Sequence, residues 1–494
     1  MTDDRSSFRN ILRAIFLFGG VQFYQIIVSI IRSKIVAVLL GPEGIGILGL
    51  LNSTTGLIQR GTNFGLNISA VRDLAEANGS GNQKRISQVI IVLHRLILIT
   101  GFLGLILTLV LSPWLSEVTF GSNKYTLAFI WLALTLLFSQ LTAEYFVVLQ
   151  GLGKLRFLAM ANLIGVSSGL IIGLPLYYFW GLDAIVPNII IGSLSSLIIS
   201  WFYKRKMNIP PLQVSCKKTY IIGKKMIILG FFLNVTAFIV LANDYALRLF
   251  ISNFGDVTQV GLYTAGFAIL NNYVGLIFSA MSTEYYPRLS GVAKDNVKCC
   301  ETINHQAEVS IIIITPLIIA FILFSNWGLV LLFSNKFVPV NEMLKWAGIG
   351  ILSRTAAWTL GYVYIARGDS KLFITVNITH YVYVLIFNII AYYYYGLTGL
   401  GISFSLTNII NLLINVIVSK RYYNFKFSPI FSKLFLYNNF FVMISFCLMV
   451  FSDLNYKYFY GLIILAIASI YSLFELNIRV NLTEAVKNYI NIHK

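Results

Sequence analysis

Charge is scarce in this chain. Lys and Arg number 37 and Asp and Glu 19, so 11% of the 494 residues are charged, against about 25% in a soluble chain. Spread over the whole length, that shortfall leaves too few polar side chains to cover a surface facing water. Cysteine is nearly absent as well. Cys216, Cys299 and Cys300 fall in expected cytoplasmic loops, a reducing compartment. Adjacent Cys299 and Cys300 have no second pair and no histidine at metal spacing, so these three and Cys447 are read as free thiols. There is no phosphate-binding Gly-rich loop carrying a Lys, and no nucleophile elbow. No metal or cofactor is expected, and nothing points to an enzyme. The alternating strands of about ten residues that mark a membrane β-barrel are missing too.

What is abundant is hydrophobic side chain, 57% of the total. Apolar runs of about 18 residues or more, each long enough to cross a hydrocarbon core of about 30 Å, recur from Ile11 to Leu473. In that core the backbone satisfies its own hydrogen bonds, so the crossings are helices. Fourteen are expected, at 11–38, 43–66, 87–112, 124–150, 157–179, 183–203, 221–252, 257–283, 308–334, 340–366, 371–395, 398–420, 432–452 and 456–476. The fold class is an all-α polytopic membrane protein. Arg5, Arg9 and Arg13 resemble a signal-peptide n-region, but the run behind them spans about 30 residues and holds Arg32 and Lys34. It reads as a retained first helix.

Of the 37 basic residues, 27 fall on the side of the N-terminus, every second loop and the C-terminus. By the positive-inside rule both termini are cytoplasmic. The net charge of +18 is therefore read as meeting anionic headgroups of membrane lipids, not nucleic acid. Trp114, Trp180, Trp327 and Tyr392 to Tyr395 fall near outer helix ends, where an interfacial aromatic belt belongs. Loops are short on both faces, which excludes an attached soluble domain.

The order of landmarks repeats. Gly41 and Gly255 are 214 residues apart, Gly46 and Gly261 215, Arg72 and Arg288 216, and Gly181 and Gly396 215. Gly151 with Lys154 matches Gly368 with Lys371 at 217, and Lys204-Arg205 matches Lys420-Arg421 at 216. Each match is weak alone; in series they indicate a duplication. Six helices per unit give both halves the same orientation, with a substrate site expected between them. The expected division is a six-helix lobe at 1–212, a second at 213–428, and two additional helices with a cytoplasmic tail at 429–494. Two such pseudo-symmetric lobes around a central cavity point to alternating access and a transporter.

A charge at the bilayer centre costs about 2.5–3.5 kcal/mol on insertion scales and normally faces protein or water. Arg32 and Arg248 are repeat mates, 216 residues apart; Arg32 either lines a cavity or reaches the outer interface, and Arg248 either lines it or pairs with Asp244 one turn earlier. Arg60 and Arg95 lie in inner halves of their helices, within reach of the cytoplasmic surface. Arg354 has the least escape, and Trp358 follows it by one turn on the same helical face. A guanidinium gripping phosphate oxygens beside a ring that packs on a pyranose suits a sugar diphosphate. Glu144, Asp244 and His380 are candidates for a coupling proton or sodium, or are satisfied interhelical hydrogen bonds.

Leu40-Gly41-Pro42-Glu43-Gly44-Ile45-Gly46, the run Phe333-Ser334-Asn335-Lys336-Phe337, and Trp346 with Gly361-Tyr362 through Ala366 carry a family likeness. Over about residues 8–425 the chain resembles the Wzx-type O-antigen flippases of the multidrug/oligosaccharidyl-lipid/polysaccharide (MOP) exporter superfamily, MATE-like in fold. The resemblance implies transfer of undecaprenyl-diphosphate-linked oligosaccharide from the cytoplasmic to the periplasmic leaflet of the bacterial inner membrane. It also implies a cationic cavity, a coupling cation (proton or sodium) and work beside a polysaccharide polymerase. Three alternatives stay open. One is a drug or metabolite exporter of the same superfamily, which would favour a cavity richer in carboxylates. Another is a membrane glycan polymerase or ligase, which would need a sizeable periplasmic loop. The third is a flippase for the peptidoglycan precursor.

Overall fold

The computed structural model describes residues 2–207, 209–210, 212–452 and 456–480; the expected C-terminal tail beyond them, with Lys487 and Lys494, lies outside the described residues. Two compact units form, Met1–Gly261 with Leu332–Ser334 and Leu262–Leu331 with Asn335–Lys494. Among the described residues there is no strand.

The first unit opens with α1 (Thr2–Asn63), broken at Gly41, where φ 69° and ψ −168° interrupt the helix between the first two expected spans. It continues through α2 (Leu66–Gly79), α3 (Gln83–Phe120), α4 (Thr126–Gly151), α5 (Leu155–Trp180), α6 (Ile185–Arg205) and α7 (Cys216–Phe254). Leu66, Leu74, Leu93, Ile97, Val148 and Met226 are buried in its main apolar core. Met226 belongs to α7. That helix, expected to open the second lobe, packs against α2 and α3 along its length. Gly65 and Gly230 approach so closely that a methyl on either would collide with the other's backbone. Asn234 Nδ2 donates to Arg60 O at 3.2 Å, and Ser252 Oγ to Thr119 O at 2.9 Å. Backbone proximity and side-chain bonds bind α7 here, which a hydropathy pattern does not register.

The second unit is built from α8 (Val257–Ala268), a π-helical turn (Ile269–Tyr273), α9 (Val274–Val292), α10 (Asn296–Leu332), α11 (Asn341–Ala366), α12 (Ser370–Tyr423), α13 (Pro429–Phe451) and α14 (Lys457–Val480), with the first residues of α8 counted in the first unit. Tyr285, Ile303, Leu360, Tyr364 and Phe425 are buried in a shared core. Inside it the Tyr285 hydroxyl donates to Thr359 O at 2.8 Å, and the Tyr364 hydroxyl to Asn415 Oδ1 at 2.9 Å. Helix α10 starts twelve residues before the expected span at 308, so Cys299 and Cys300 lie on a helix rather than in a loop, Cys299 buried. Lys345 is a buried residue of α11; its Nζ lies 2.8 Å from Glu342 Oε1 and donates to Met449 O of α13 at 3.2 Å.

Among the described residues, nine helical stretches are long and apolar enough to cross a membrane; Phe23–Asn63, Leu155–Arg205 and Ser370–Tyr423 each cover two expected spans in whole or in part. The expected spans 257–283 and 340–366 are helical but not among the nine. Most of α11 is enclosed by its neighbours, so it needs no lipid-compatible surface and carries small and charged residues instead. Trp114, Trp180, Trp327 and Tyr393 to Tyr395 are exposed, as an aromatic belt requires. Tyr392 is an exception to that expectation: it is buried, because the helical turn rotates one of four consecutive residues inward.

The duplication is written in the backbone. After α4, Gly153 N donates to Gln150 O at 3.0 Å and Lys154 N to Leu149 O at 2.8 Å; after α11, Gly368 N donates to Ile365 O at 3.0 Å and Asp369 N to Tyr364 O at 2.9 Å. Every participant is displaced by 215, and both turns pass through a glycine at positive φ, 68° and 76°. This is a Schellman helix end, made twice. It shifts the sequence match: Gly368 corresponds to Gly153 and not to Gly151, since the turn geometry fixes which glycine is equivalent. Gly181 (φ 54°, ψ −128°) and Gly396 (φ 57°, ψ −140°) share another glycine-only conformation. The Gly46 and Gly261 mates meet each other's strand of sequence: a methyl on Gly46 would strike Val257 O, and one on Gly261 would strike Pro42 O.

Candidate functional site

In the second unit, Arg354 is half-buried on α11. Its guanidinium carbon lies 5.6 Å from the centre of the Phe278 ring and 5.7 Å from that of Phe404. Nη1 is 3.4 Å from Asn271 Oδ1, at the long limit of a hydrogen bond. Among the described residues no carboxylate pairs with it. Ring faces stabilise a guanidinium through its flat side, by about 0.5–2 kcal/mol, without occupying its N–H edge. Apart from the long contact to Asn271, the guanidinium donors have no hydrogen-bond partner among the described residues and can face an anionic group.

Trp358 lies on the same face, as its spacing predicts. It packs on Phe278 at 5.4 Å, Tyr285 at 5.7 Å and Tyr362 at 5.2 Å between ring centres. Arg354 and Trp358 are therefore neighbours joined through Phe278. His380, on α12, places Nδ1 2.8 Å from the Tyr383 hydroxyl.

The first unit treats its charges differently. Glu144 on α4 is fully buried, with Lys204 Nζ at 2.9 Å and His94 Nδ1 at 2.8 Å. The Lys204 ammonium also stands 4.5 Å from the centre of the Tyr145 ring. Arg95 Nη1 donates to Val214 O at 2.8 Å and Thr219 Oγ1 at 2.7 Å, pinning the α6–α7 connection to α3. Arg248 Nε lies 2.7 Å from Asp244 Oδ2, the local pairing that the sequence left open. Arg60 is half-buried, and its buried Nε has no hydrogen-bond partner among the described residues. Arg32 is exposed and lines a cavity of about 400 Å³ between α1, α4, α5 and α6.

The partners are less legible in the sequence than the charges. Lys204 was visible only as one of many basic residues at an inner helix end. Phe278 and Phe404 are two of 37 phenylalanines, with no local pattern to mark them. Glu308 on α10 likewise carries no local mark in the sequence. It is buried, with Arg479 Nε at 3.1 Å and the Ser428 hydroxyl donating at 2.9 Å. This group ties α10 to α14 and to the start of α13, so the last two helices are integral to the second unit.

The family model described as "Polysaccharide biosynthesis protein" matches residues 35–342, more than half of the chain. A Shigella flexneri protein named "Putative O-antigen transporter" is 25% identical over 391 residues, covering 76% of this chain and 89% of that one. Among solved structures, the lipid II flippase MurJ in an inward closed conformation superposes with a TM-score of 0.70 at 16% identity, covering 94% of this chain and 98% of that one. An inward-facing multidrug resistance MATE family transporter of the MOP superfamily gives 0.67 at 13% identity, covering 83% and 95%. At such identities the two structures speak for the fold. The likeness to Wzx-type proteins carried by the Gly-Pro-Glu-Gly-Ile-Gly segment is thereby borne out, and the chain belongs to the polysaccharide biosynthesis protein family, built on the fold of the MOP exporters.

Proposed function

We propose that this protein is a flippase that moves undecaprenyl-diphosphate-linked oligosaccharide from the cytoplasmic to the periplasmic leaflet by alternating access. One observation carries the reading. Arg354 is held among aromatic rings in the second unit of a transporter fold, with one long amide contact to its donors and no carboxylate paired to it among the described residues. A diphosphate accepts from such a fork, and Trp358 supplies a ring for a sugar. The O-antigen transporter name of the Shigella relative supports the same substrate class. A cationic-drug exporter would need a free carboxylate, whereas Glu144, Asp244 and Glu308 are all paired.

In this proposal Arg354 and Trp358 receive the head group, with Arg32, Arg60, Arg95 and Arg248 adding positive potential, in lobes 1–212 and 213–428 followed by residues 429–494. Glu144, Asp244 and His380 are the coupling candidates for a proton or sodium. Both termini are cytoplasmic, and a polysaccharide polymerase takes the product. The test is complementation of a flippase-null strain, scored by surface polysaccharide at matched protein levels. Arg354→Ala is expected to lower export at least about tenfold, the scale of one lost charge-assisted contact, with Arg354→Lys intermediate. Full export by Arg354→Ala removes the residue from this role.

A further inference from the structure

The cavity that Arg32 lines has a chemistry of its own. Thr142, Ser193 and Ser196 donate their hydroxyls to Phe138 O, Ile190 O and Gly192 O, at 2.8, 2.8 and 3.0 Å. Asn162 Nδ2 donates to Leu158 O at 3.1 Å. With their protons committed to the helix backbone, the three hydroxyls offer the cavity oxygen lone pairs, and Asn162 offers its amide oxygen and its second N–H. Arg32 is the charged donor, joined by the amides of Asn52 and Asn162, and no carboxylate is in the lining. The space exists because its walls are small: a methyl added at Gly169 or Gly192 would meet nothing within 4 Å.

These features narrow the occupant. A bare metal ion is disfavoured by neutral acceptors and a guanidinium that repels it. An acyl chain would leave the acceptors dry, at a cost for each. A compact ring bearing many hydroxyls satisfies both sides, since its O–H groups donate to the lone pairs and its oxygens accept from Arg32. Its C–H faces can lie on Phe146 and the glycine surfaces. We infer that the α1–α4–α5–α6 cavity is a carbohydrate subsite, taking one sugar ring of the lipid-linked oligosaccharide. The inference rests on the flippase reading and extends it to a place in the first unit.

The experiment fills the cavity from either wall. Gly192→Leu and Gly169→Leu add bulk into open space and raise helix propensity. Purified full-length protein is titrated with undecaprenyl diphosphate and with undecaprenyl-diphosphate-N-acetylglucosamine. The wild type is expected to bind the sugar-bearing lipid about tenfold more tightly, the scale of one or two net hydrogen bonds. In both leucine variants that ratio falls toward one while the bare lipid still binds. A ratio unchanged in both, or a wild type that does not distinguish the lipids, overturns the subsite and leaves the flippase reading standing. A wild type that binds neither lipid sinks both. Should the leucine variants melt early, Thr142→Val with Ser193→Ala removes acceptors at nearly constant volume, and an unchanged ratio there overturns the subsite equally.

Discussion

Glu144 in the first unit and Arg354 in the second are both membrane-embedded charges, and their surroundings are opposite. Glu144 is fully buried between two basic side chains at 2.8 and 2.9 Å. Arg354 has two ring faces and one amide oxygen at 3.4 Å. Insertion cost alone would rank them together. Saturation separates them: Glu144 has its charge answered by its own unit, while Arg354 keeps donors for something else. The lesson is that an intramembrane charge becomes a ligand site when its neighbours stabilise it without consuming its hydrogen-bonding edge.

The largest effect should come from breaking the saturated site. Glu144→Ala leaves Lys204 without its acceptor, and removing one partner of a buried pair costs about 3–5 kcal/mol. Because the Lys204 side chain is 20% and that of His94 42% exposed, both can partly resolvate, and the lower end is expected. Thermal melting of purified protein measures it. Glu144→Gln keeps the shape and should cost less. A Glu144→Gln variant that melts like wild type but fails to export would move Glu144 from structure to ion coupling, and so erase the contrast with Arg354.

A middling effect should come from stripping the rings of the unsaturated site. Phe278→Leu and Phe404→Leu each remove one face from Arg354. Cation–π stabilisation of about 0.5–2 kcal/mol predicts a loss in lipid binding between a few-fold and about thirtyfold. Phe278→Leu should be the worse of the two, since that ring also packs on Trp358. Equal, negligible losses with normal melting would mean the rings fill space and do not orient the guanidinium.

How far the sequence foretells all this divides along the same line. Helices are announced by long apolar runs, and the duplication by glycines at an offset near 215, because both leave marks within a few residues. Arg354 and Trp358 share a turn and were legible as a pair. The Glu144–Lys204 contact joins residues 60 apart and Glu308–Arg479 residues 171 apart; no local period encodes such distances. The placement of α7 is illegible for the same reason. Its contacts with α2 rest on Gly65 and Gly230, residues that look like ordinary helix punctuation until two backbones are seen to touch. Cavities leave the faintest trace, since Gly169 and Gly192 matter for what they do not fill.

The smallest effect is expected at the pair that resembles neither extreme. Asp244 and Arg248 lie one turn apart on α7, at 2.7 Å, with side chains 35% and 13% exposed. An i,i+4 pair of this kind contributes about 0.3–0.5 kcal/mol. A double-mutant cycle with Asp244→Asn and Arg248→Gln should therefore return a coupling of that order in stability, and export should fall with Arg248 while tolerating Asp244→Asn. A coupling above about 2 kcal/mol would place the pair with Glu144 as a saturated site. Export lost in Asp244→Asn at unchanged stability would instead make the carboxylate the functional partner and Arg248 its holder. Either result would redraw which charges of the first unit are committed to the fold and which are left for the substrate.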